Sequence, residues 1–252
     1  MKRSSFFTVV FENDHCIVVN KASGISVGGE RWDDSAQRLD KLVADSLSYA
    51  KIFTVHRIDR ETSGLVAFAK DAQTHKQLSM AFNSRQVGKH YIAVVHGRPA
   101  WEEMTCDLPL VPNGNKKHMT IIDKYRGKES HTQFKVLNSA GNYSVLSVYP
   151  ATGRIHQIRV HAASLGFPVV CDSLYGKETP VLLSSFKRGW RGDPHEEKPL
   201  LARLGLHAME LSLPADLCGY KLSAPLSRDL AALIKQIEKL DKRRVDNSSL
   251  QT

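Results

Sequence analysis

Short apolar runs punctuated by polar turns organise this chain. Phe6–Glu12 and Cys16–Asn20 are β-branched and aromatic stretches on either side of Asn13-Asp14, the turn chemistry of a β-hairpin. A polar stretch from Gly28 to Gln37 reads as a loop, and a helix is predicted over Leu39–Leu47. Gly64–Ala69 is a small apolar strand, after which Asp71 is placed to cap a helix running to about Asn83, with Leu78 and Phe82 four apart on its inner face. His90–Val95 alternates, which puts Tyr91, Ala93 and Val95 on one side of a strand. Further strands are predicted over Thr132–Leu137 and Tyr143–Tyr149, and a helix over Gln157–Leu165, stopped by Gly166. Lys177–Pro199 is rich in Gly, Pro and charge and reads as an exposed, partly disordered loop. Pro225 and Ser227 introduce a last amphipathic helix with Leu230, Leu233, Ile234, Ile237 and Leu240 inward. Strands and helices mix here without regular β-α-β spacing, which argues for an α+β fold. The expected organisation is a single domain over 1–245 with a flexible tail at 246–252, and no repeat or low-complexity segment interrupts it.

Composition changes the picture in two ways. A net charge of +9 on 252 residues is the electrostatic footprint of a polyanion binder, although charge alone does not separate RNA from DNA. The four cysteines, Cys16, Cys106, Cys171 and Cys218, form no Cys-x-x-Cys pair, so free thiols in a reducing compartment are expected. The apolar run at the N-terminus is broken by Glu12, Asn13 and Asp14, too soon for a secretory leader, and no other run is long enough to span a bilayer. A cytoplasmic protein is the resulting expectation.

Candidate chemistry concentrates in Val55-His56-Arg57-Ile58-Asp59-Arg60-Glu61-Thr62-Ser63-Gly64. A carboxylate at Asp59 between Arg57 and Arg60 should stay ionised, because nearby cations favour its charged form. Such a group can act as a nucleophile or stabilise positive charge on a sugar. Read from the residues alone, the segment is more readily a charged turn before a buried strand. It resembles, however, the catalytic signature of the RluA family of pseudouridine synthases, His-Arg-Leu-Asp followed after two residues by Thr-Ser-Gly, with Ile58 in place of Leu. The block from Thr152-Gly153-Arg154-Ile155-His156-Gln157-Ile158-Arg159 to His161 resembles a second family block, and Leu165 to Gly176 continues it. Within that continuation Cys171 stands where glycine is usual and Phe167 where histidine is usual, and both are expected to bear on packing rather than on activity. Lys89-His90-Tyr91-Ile92-Ala93 is similar to a third block, Phe11–Gly24 to the opening hairpin with Ala22 where proline is common, and Arg203–Ala208 to a late one.

The resemblance implies a long mixed, mainly antiparallel sheet in two halves, with flanking helices and a central cleft. It implies that uridine in RNA is isomerised to pseudouridine without a cofactor. Asp59 then matches the essential carboxylate, Tyr91 the active-site tyrosine that stacks on uracil and could help remove the proton from carbon 5, and Arg159 the arginine paired with the aspartate. Arg154, close to a helix N-terminus, is a candidate for phosphate, Arg57 for filling the space of the flipped base, and Lys89 for RNA contact. Many relatives carry an additional N-terminal RNA-binding module, which is not expected here because the sequence starts on the catalytic hairpin. Ribosomal or transfer RNA is the expected partner and a monomer the expected state. A nucleophilic and a glycal route for Asp59 are both open.

Two rival classes are weighed against this. Eleven histidines invite a metal reading, but none shows metal-ligand spacing, so no metal is expected. An RNA-binding protein without turnover has no need for Asp59, Tyr91 and Arg159 together. Arg38-Leu39-Asp40 imitates the catalytic tripeptide without its flanking residues and reads as part of a solvated helix face.

Overall fold

The computed structural model describes residues 5–29, 37–115, 119–187, 189–214 and 221–249. In chain order the first elements are β1 (Phe7–Glu12), β2 (Cys16–Lys21), α1 (Leu39–Leu47), β3 (Phe53–Thr54), β4 (Ser63–Ala69), α2 (Ala72–Asn83) and β5 (Gly88–His96). There follow β6 (Glu103–Cys106), β7 (Leu110–Val111), β8 (Ile121–Ile122), β9 (Thr132–Ala140), β10 (Tyr143–Pro150), α3 (Gln157–Ser164), β11 (Leu206–Ser212), β12 (Lys221–Ser223) and α4 (Arg228–Ser249). Ten strands belong to one mixed sheet, and β7 and β8 pair separately. The α+β expectation holds. The chain forms two compact units, one of residues 1–91 and 207–226, the other of 92–206 and 227–252.

In the first unit β1, β2, β4 and β11 are successive neighbours. The hairpin partners are antiparallel, as are β2 and β4, whereas β4 and β11 run parallel through His207 opposite Ser63 and Ala208 opposite Gly64. Period-two alternation with both faces covered explains the consecutive apolar residues Cys16–Val19 of β2 and Leu65–Ala69 of β4. Ile17, Val19, Val66 and Phe68 enter one core with Leu39 and Val43 of α1. Cys16, Val18, Leu65 and Ala67 enter another with Leu78 and Ala81 of α2. Each helix thus covers one face, and all seven residues of β4 are buried. Asp71 caps α2 as expected, accepting hydrogen bonds from the Thr74 amide and hydroxyl at 2.8 and 2.7 Å.

The second unit is built on β10, β9 and β6, antiparallel to one another. Helix α4 packs on β9 and β10 through Leu230, Leu233 and Ile237, all fully buried. It continues to Ser249, beyond the end read from the sequence. Gly166 ends α3 with φ of +87° and its amide on the Ala163 carbonyl at 3.0 Å, the left-handed stop its position predicts.

The thiol expectation needs correction. Cys106 and Cys171 are free, but Cys16, wholly buried on the α2 side of β2, is disulfide-bonded; Cys218 lies outside the described residues. Among the described residues no helix is long and apolar enough to cross a membrane, and no cluster of three or more His, Cys, Asp or Glu is placed to hold a metal ion.

Candidate active site

Asp59 sits in the irregular segment between β3 and β4, at the first position of a tight turn. The turn is closed by the Thr62 amide donating to the Asp59 carbonyl at 3.1 Å. Buried Ile58, in the core beneath α1, anchors one side of the segment, while Asp59 is half-buried and Arg57 exposed. The loop after β2 clamps the turn from outside. Lys21, 1% exposed, aims its ammonium at three carbonyls, those of Ala22, Ile25 and Arg60, at 2.9, 2.8 and 2.9 Å. Gly24 donates its amide to the same Arg60 carbonyl at 2.8 Å, and Ser23 its hydroxyl to the Glu61 carbonyl at 2.6 Å. The backbone carrying the carboxylate is therefore fixed by charge-assisted and ordinary hydrogen bonds to residues far away in sequence. Arg60 departs from expectation: its Nε lies 3.3 Å from the Gly24 carbonyl and 3.7 Å from Glu61, so it helps hold the turn as well as contributing charge.

The flanking motif residues have structural roles. His56 Nε2 accepts the Ala67 amide of β4 at 3.0 Å, and its ring stacks on Phe82 with centroids 4.4 Å apart. Accepting a hydrogen bond requires the neutral ring. Burial, reinforced by the charge of Lys89, lowers its pKa to about 3. Ser63 shares a hydrogen bond with His207 Nδ1 of β11 at 2.9 Å. Thr62 is buried with its hydroxyl lacking a hydrogen-bond partner, which nothing in the structure explains.

Tyr91 packs on the core containing Ile58, and its phenol is pushed well above the ordinary tyrosine range, first by burial and then by the charge of Asp59. It is accordingly a protonated hydroxyl beside a carboxylate. Lys89, two residues earlier on β5, shares that face and acts electrostatically on His56, while His90 points the other way to Glu210 at 3.1 Å. The first unit thus carries Asp59, Tyr91 and Lys89, with the charge of Asp59 felt at Tyr91 and that of Lys89 at His56.

Arg154 and Arg159 belong to the second unit. The loop before α3 is fixed by the buried amide of Gln157. Its Oε1 accepts the Arg154 amide and the Thr152 hydroxyl at 2.9 and 2.7 Å, and its Nε2 donates to the His131 carbonyl and Thr132 Oγ1 at 3.0 and 2.9 Å. Arg154 is half-buried, with Nε on the Glu129 carbonyl at 3.0 Å. Arg159 is buried and donates Nε and Nη2 to the two carboxylate oxygens of Asp172 at 2.8 and 2.7 Å. Its guanidinium also lies over the Tyr175 ring, 5.3 Å from the centroid. Asp172 lies within the Leu165–Gly176 block, where neither its residue type nor its spacing marks it as the partner of Arg159. Its neighbour Cys171 has φ of +57°, a left-handed conformation in which glycine is the unstrained residue. Cys171 therefore adjoins the partner of Arg159. The decoy Asp40 is also less solvated than expected, its side chain 14% exposed and ion-paired to Arg38 at 2.6 Å.

The profile described as RNA pseudouridylate synthase matches residues 15–164. The chain belongs to that family, within its RluA-type branch. It is 34% identical over 213 residues to the dual-specificity RNA pseudouridine synthase RluA of Vibrio vulnificus (strain CMCP6), covering 81% of this chain and 76% of that one. It is 35% identical over 174 residues to the ribosomal large subunit pseudouridine synthase C of Buchnera aphidicola (subsp. Acyrthosiphon pisum, strain APS), covering 67% of this chain and 54%, about half, of the relative's length. The solved structure of human RNA pseudouridylate synthase domain containing 1 superposes with a TM-score of 0.67 at 26% identity, covering 90% of this chain and 86% of that one.

Proposed function

We propose that the protein isomerises specific uridines in structured RNA to pseudouridine. The bond between sugar carbon 1 and base N1 breaks, the base turns within the site, and carbon 5 bonds to the same sugar carbon. The proton on carbon 5 is lost and N1 ends protonated, so atoms and electrons balance without a co-reactant. Asp59 is the carboxylate at the sugar, by attack or by removing a sugar proton. Tyr91 is the platform for the uracil. Its raised pKa favours the role of hydroxyl donor over that of a resting base. Arg159, matched to the family's active-site arginine, is held by Asp172 within its own unit, and Arg57, Arg154 and Lys89 meet the RNA. The observation that carries the reading is the Asp59 turn, whose backbone is held by Lys21, Ser23 and Gly24 while the carboxylate itself stays half-buried beside Tyr91. Relatives named for the large ribosomal subunit favour ribosomal RNA, with transfer RNA the second candidate, acted on by a cytoplasmic monomer.

The test is single-turnover pseudouridine formation on ribosomal and transfer RNA transcripts, read by carbodiimide-adduct mapping. Asp59→Asn should bind RNA within a few-fold of wild type and form no detectable product, a loss beyond the ~10²–10⁴ of an auxiliary acid–base group. Asp40→Asn should turn over normally and cost about 0.5–1 kcal/mol of stability through its Arg38 pair and its place in the first turn of α1. Product from the Asp59 variant removes the assignment.

A further inference from the structure

We infer that Tyr125 is a stacking platform for an unpaired base of the RNA substrate, with Lys124, Arg126 and Lys128 beside it for the flanking phosphates. The inference takes its substrate class from the proposed function and adds a docking residue outside the motifs that carry the chemistry.

A tyrosine ordinarily covers its apolar ring and leaves the hydroxyl wet. Tyr125 does the opposite. It is 99% exposed, the highest value among the exposed large apolar residues described, with Met80 next at 61%. Single exposed apolar side chains are common and by themselves mean nothing. This one is carried on a fixed turn. Asp123 Oδ1 accepts the amides of Tyr125 and Arg126 at 2.9 and 3.0 Å, and Oδ2 accepts Arg126 Nε at 2.7 Å. The Gly127 amide donates to the Asp123 carbonyl at 2.9 Å, and the Asp123 amide to the Pro109 carbonyl at 3.1 Å. Lys128 and Leu110 then exchange amide–carbonyl bonds at 2.9 and 3.0 Å, on the same residue that pairs with Ile122 of β8. Gly127 leaves no room for a side chain, because a Cβ would lie 2.3 Å from the Asp123 carbonyl oxygen and 2.6 Å from the Pro109 carbonyl carbon. The backbone under the ring is thus held at both ends, and presenting the ring to a ligand costs little further ordering.

Charge selects the occupant. Lys124, Arg126 and Lys128 are exposed, the Arg126 side chain at 72%. Of the two acids in the stretch, Asp123 is committed to the turn and Glu129 follows it. Arg154, itself assigned to RNA, bonds the Glu129 carbonyl at 3.0 Å, and at most about 14 Å of chain separates Glu129 from Tyr125. An aromatic face framed by cations suits single-stranded nucleic acid, the ring taking a base and the cations its backbone. Bases paired within an A-form helix hide their faces, so the partner is a base in a loop, a bulge or an end.

The test measures binding of the whole chain to two probes, a labelled single-stranded oligouridylate and a blunt RNA duplex of equal length. Tyr125→Ala should raise the Kd for the single strand about fivefold or more, the lower end of what a stacked base contributes. Its Kd for the duplex should stay within about twofold of wild type. Tyr125→Phe keeps the ring and should bind both probes as wild type does. Tyr125→Leu, apolar but without a π-face, should lose affinity as alanine does. The ring carries no charge, so Tyr125→Ala should leave the slope of log affinity against log salt unchanged, while Lys128→Gln should lower it by about one unit. All the tyrosine variants should melt at the wild-type temperature, since the ring is solvated. Wild-type affinity in Tyr125→Ala, equal losses on both probes, or full affinity in Tyr125→Leu would each overturn the inference. So would a Tyr125→Ala loss confined to phosphatidylserine–phosphatidylcholine vesicles, which assigns the ring to a lipid surface. The proposed function is tested separately. Pseudouridine formed by wild type, with Tyr125→Ala binding unaffected, removes the docking residue alone. No pseudouridine from wild type, with single-strand binding still lost in Tyr125→Ala, removes the isomerisation and keeps the docking residue.

Discussion

Gly64 and Ala208 approach so closely that a Cβ added to Gly64 would lie 2.3 Å from the Ala208 carbonyl oxygen and 2.5 Å from its amide nitrogen. Both obstacles are backbone of β11, the parallel neighbour of β4, so no side chain can move aside. Gly64 also has φ of +114°, open only to glycine at ordinary cost. The glycine ending the Asp59 motif is thus what lets β11 dock against the start of β4. Gly64→Ala should destabilise the protein by about 4 kcal/mol or more, combining overpacking with backbone strain. Gly141→Ala is the contrast. It sits in the β9–β10 turn at φ +58° with nothing within 4 Å of an added Cβ, so it should cost only about 1 kcal/mol of backbone strain. Chemical denaturation of the two variants checks the difference, and equal losses would mean that the close approach does not matter.

His56 makes the motif sensitive to acid. Burial, then the charge of Lys89, lowers its folded pKa from 6.5 to about 3, and the neutral ring is the form that accepts the Ala67 amide. The unfolded state takes up a proton first, so the stability this contributes is fully present above about 6.5 and is lost as the pH falls towards about 3. His56→Gln retains an acceptor oxygen and removes the titration. Thermal melts should therefore show a smaller drop between neutral and mildly acidic pH for the variant than for wild type. An unchanged drop would assign the acid sensitivity to other groups.

Contiguous signals were legible in the sequence and non-contiguous ones were not. The bounds of α1, the Asp71 cap and the Gly166 stop each depend on residues within one or two turns, and the structure reproduces them. The site motif was legible for the same reason, as its aspartate, serine and glycine lie within a few residues of one another. By contrast nothing local marks β11 as a strand, since its parallel pairing with β4 is encoded in no periodicity of its own residues. Lys21 ends a hairpin strand and would ordinarily be solvated; only the return of the Asp59 turn brings the Arg60 carbonyl to it. Asp172 faces Arg159 from the loop after α3, and neither residue type nor spacing announces a buried pair. The disulfide at Cys16 escaped because nothing in the spacing of the cysteines marked a pair.

RNA affinity should depend steeply on salt, and the assigned arginines should account for defined parts of that dependence. Each cation that meets a phosphate releases about one condensed counterion, so removing it lowers the slope of log affinity against log salt by about one unit. Arg57 is exposed beside the Asp59 turn, and Arg154, although its Nε is used by the Glu129 carbonyl, keeps its charge and its outer N–H groups. Arg57→Ala and Arg154→Ala should each flatten the slope by about one and together by about two, with independent contributions. Lys135 is a control, because its ammonium already pairs with Glu103 at 2.8 Å on the far pair of strands, β9 and β6. Lys135→Gln should leave the slope unchanged. Binding isotherms between about 50 and 200 mM salt decide the matter: if the Lys135 variant flattens the line while the two arginine variants run parallel to wild type, the RNA contacts are on a different surface from the one assigned.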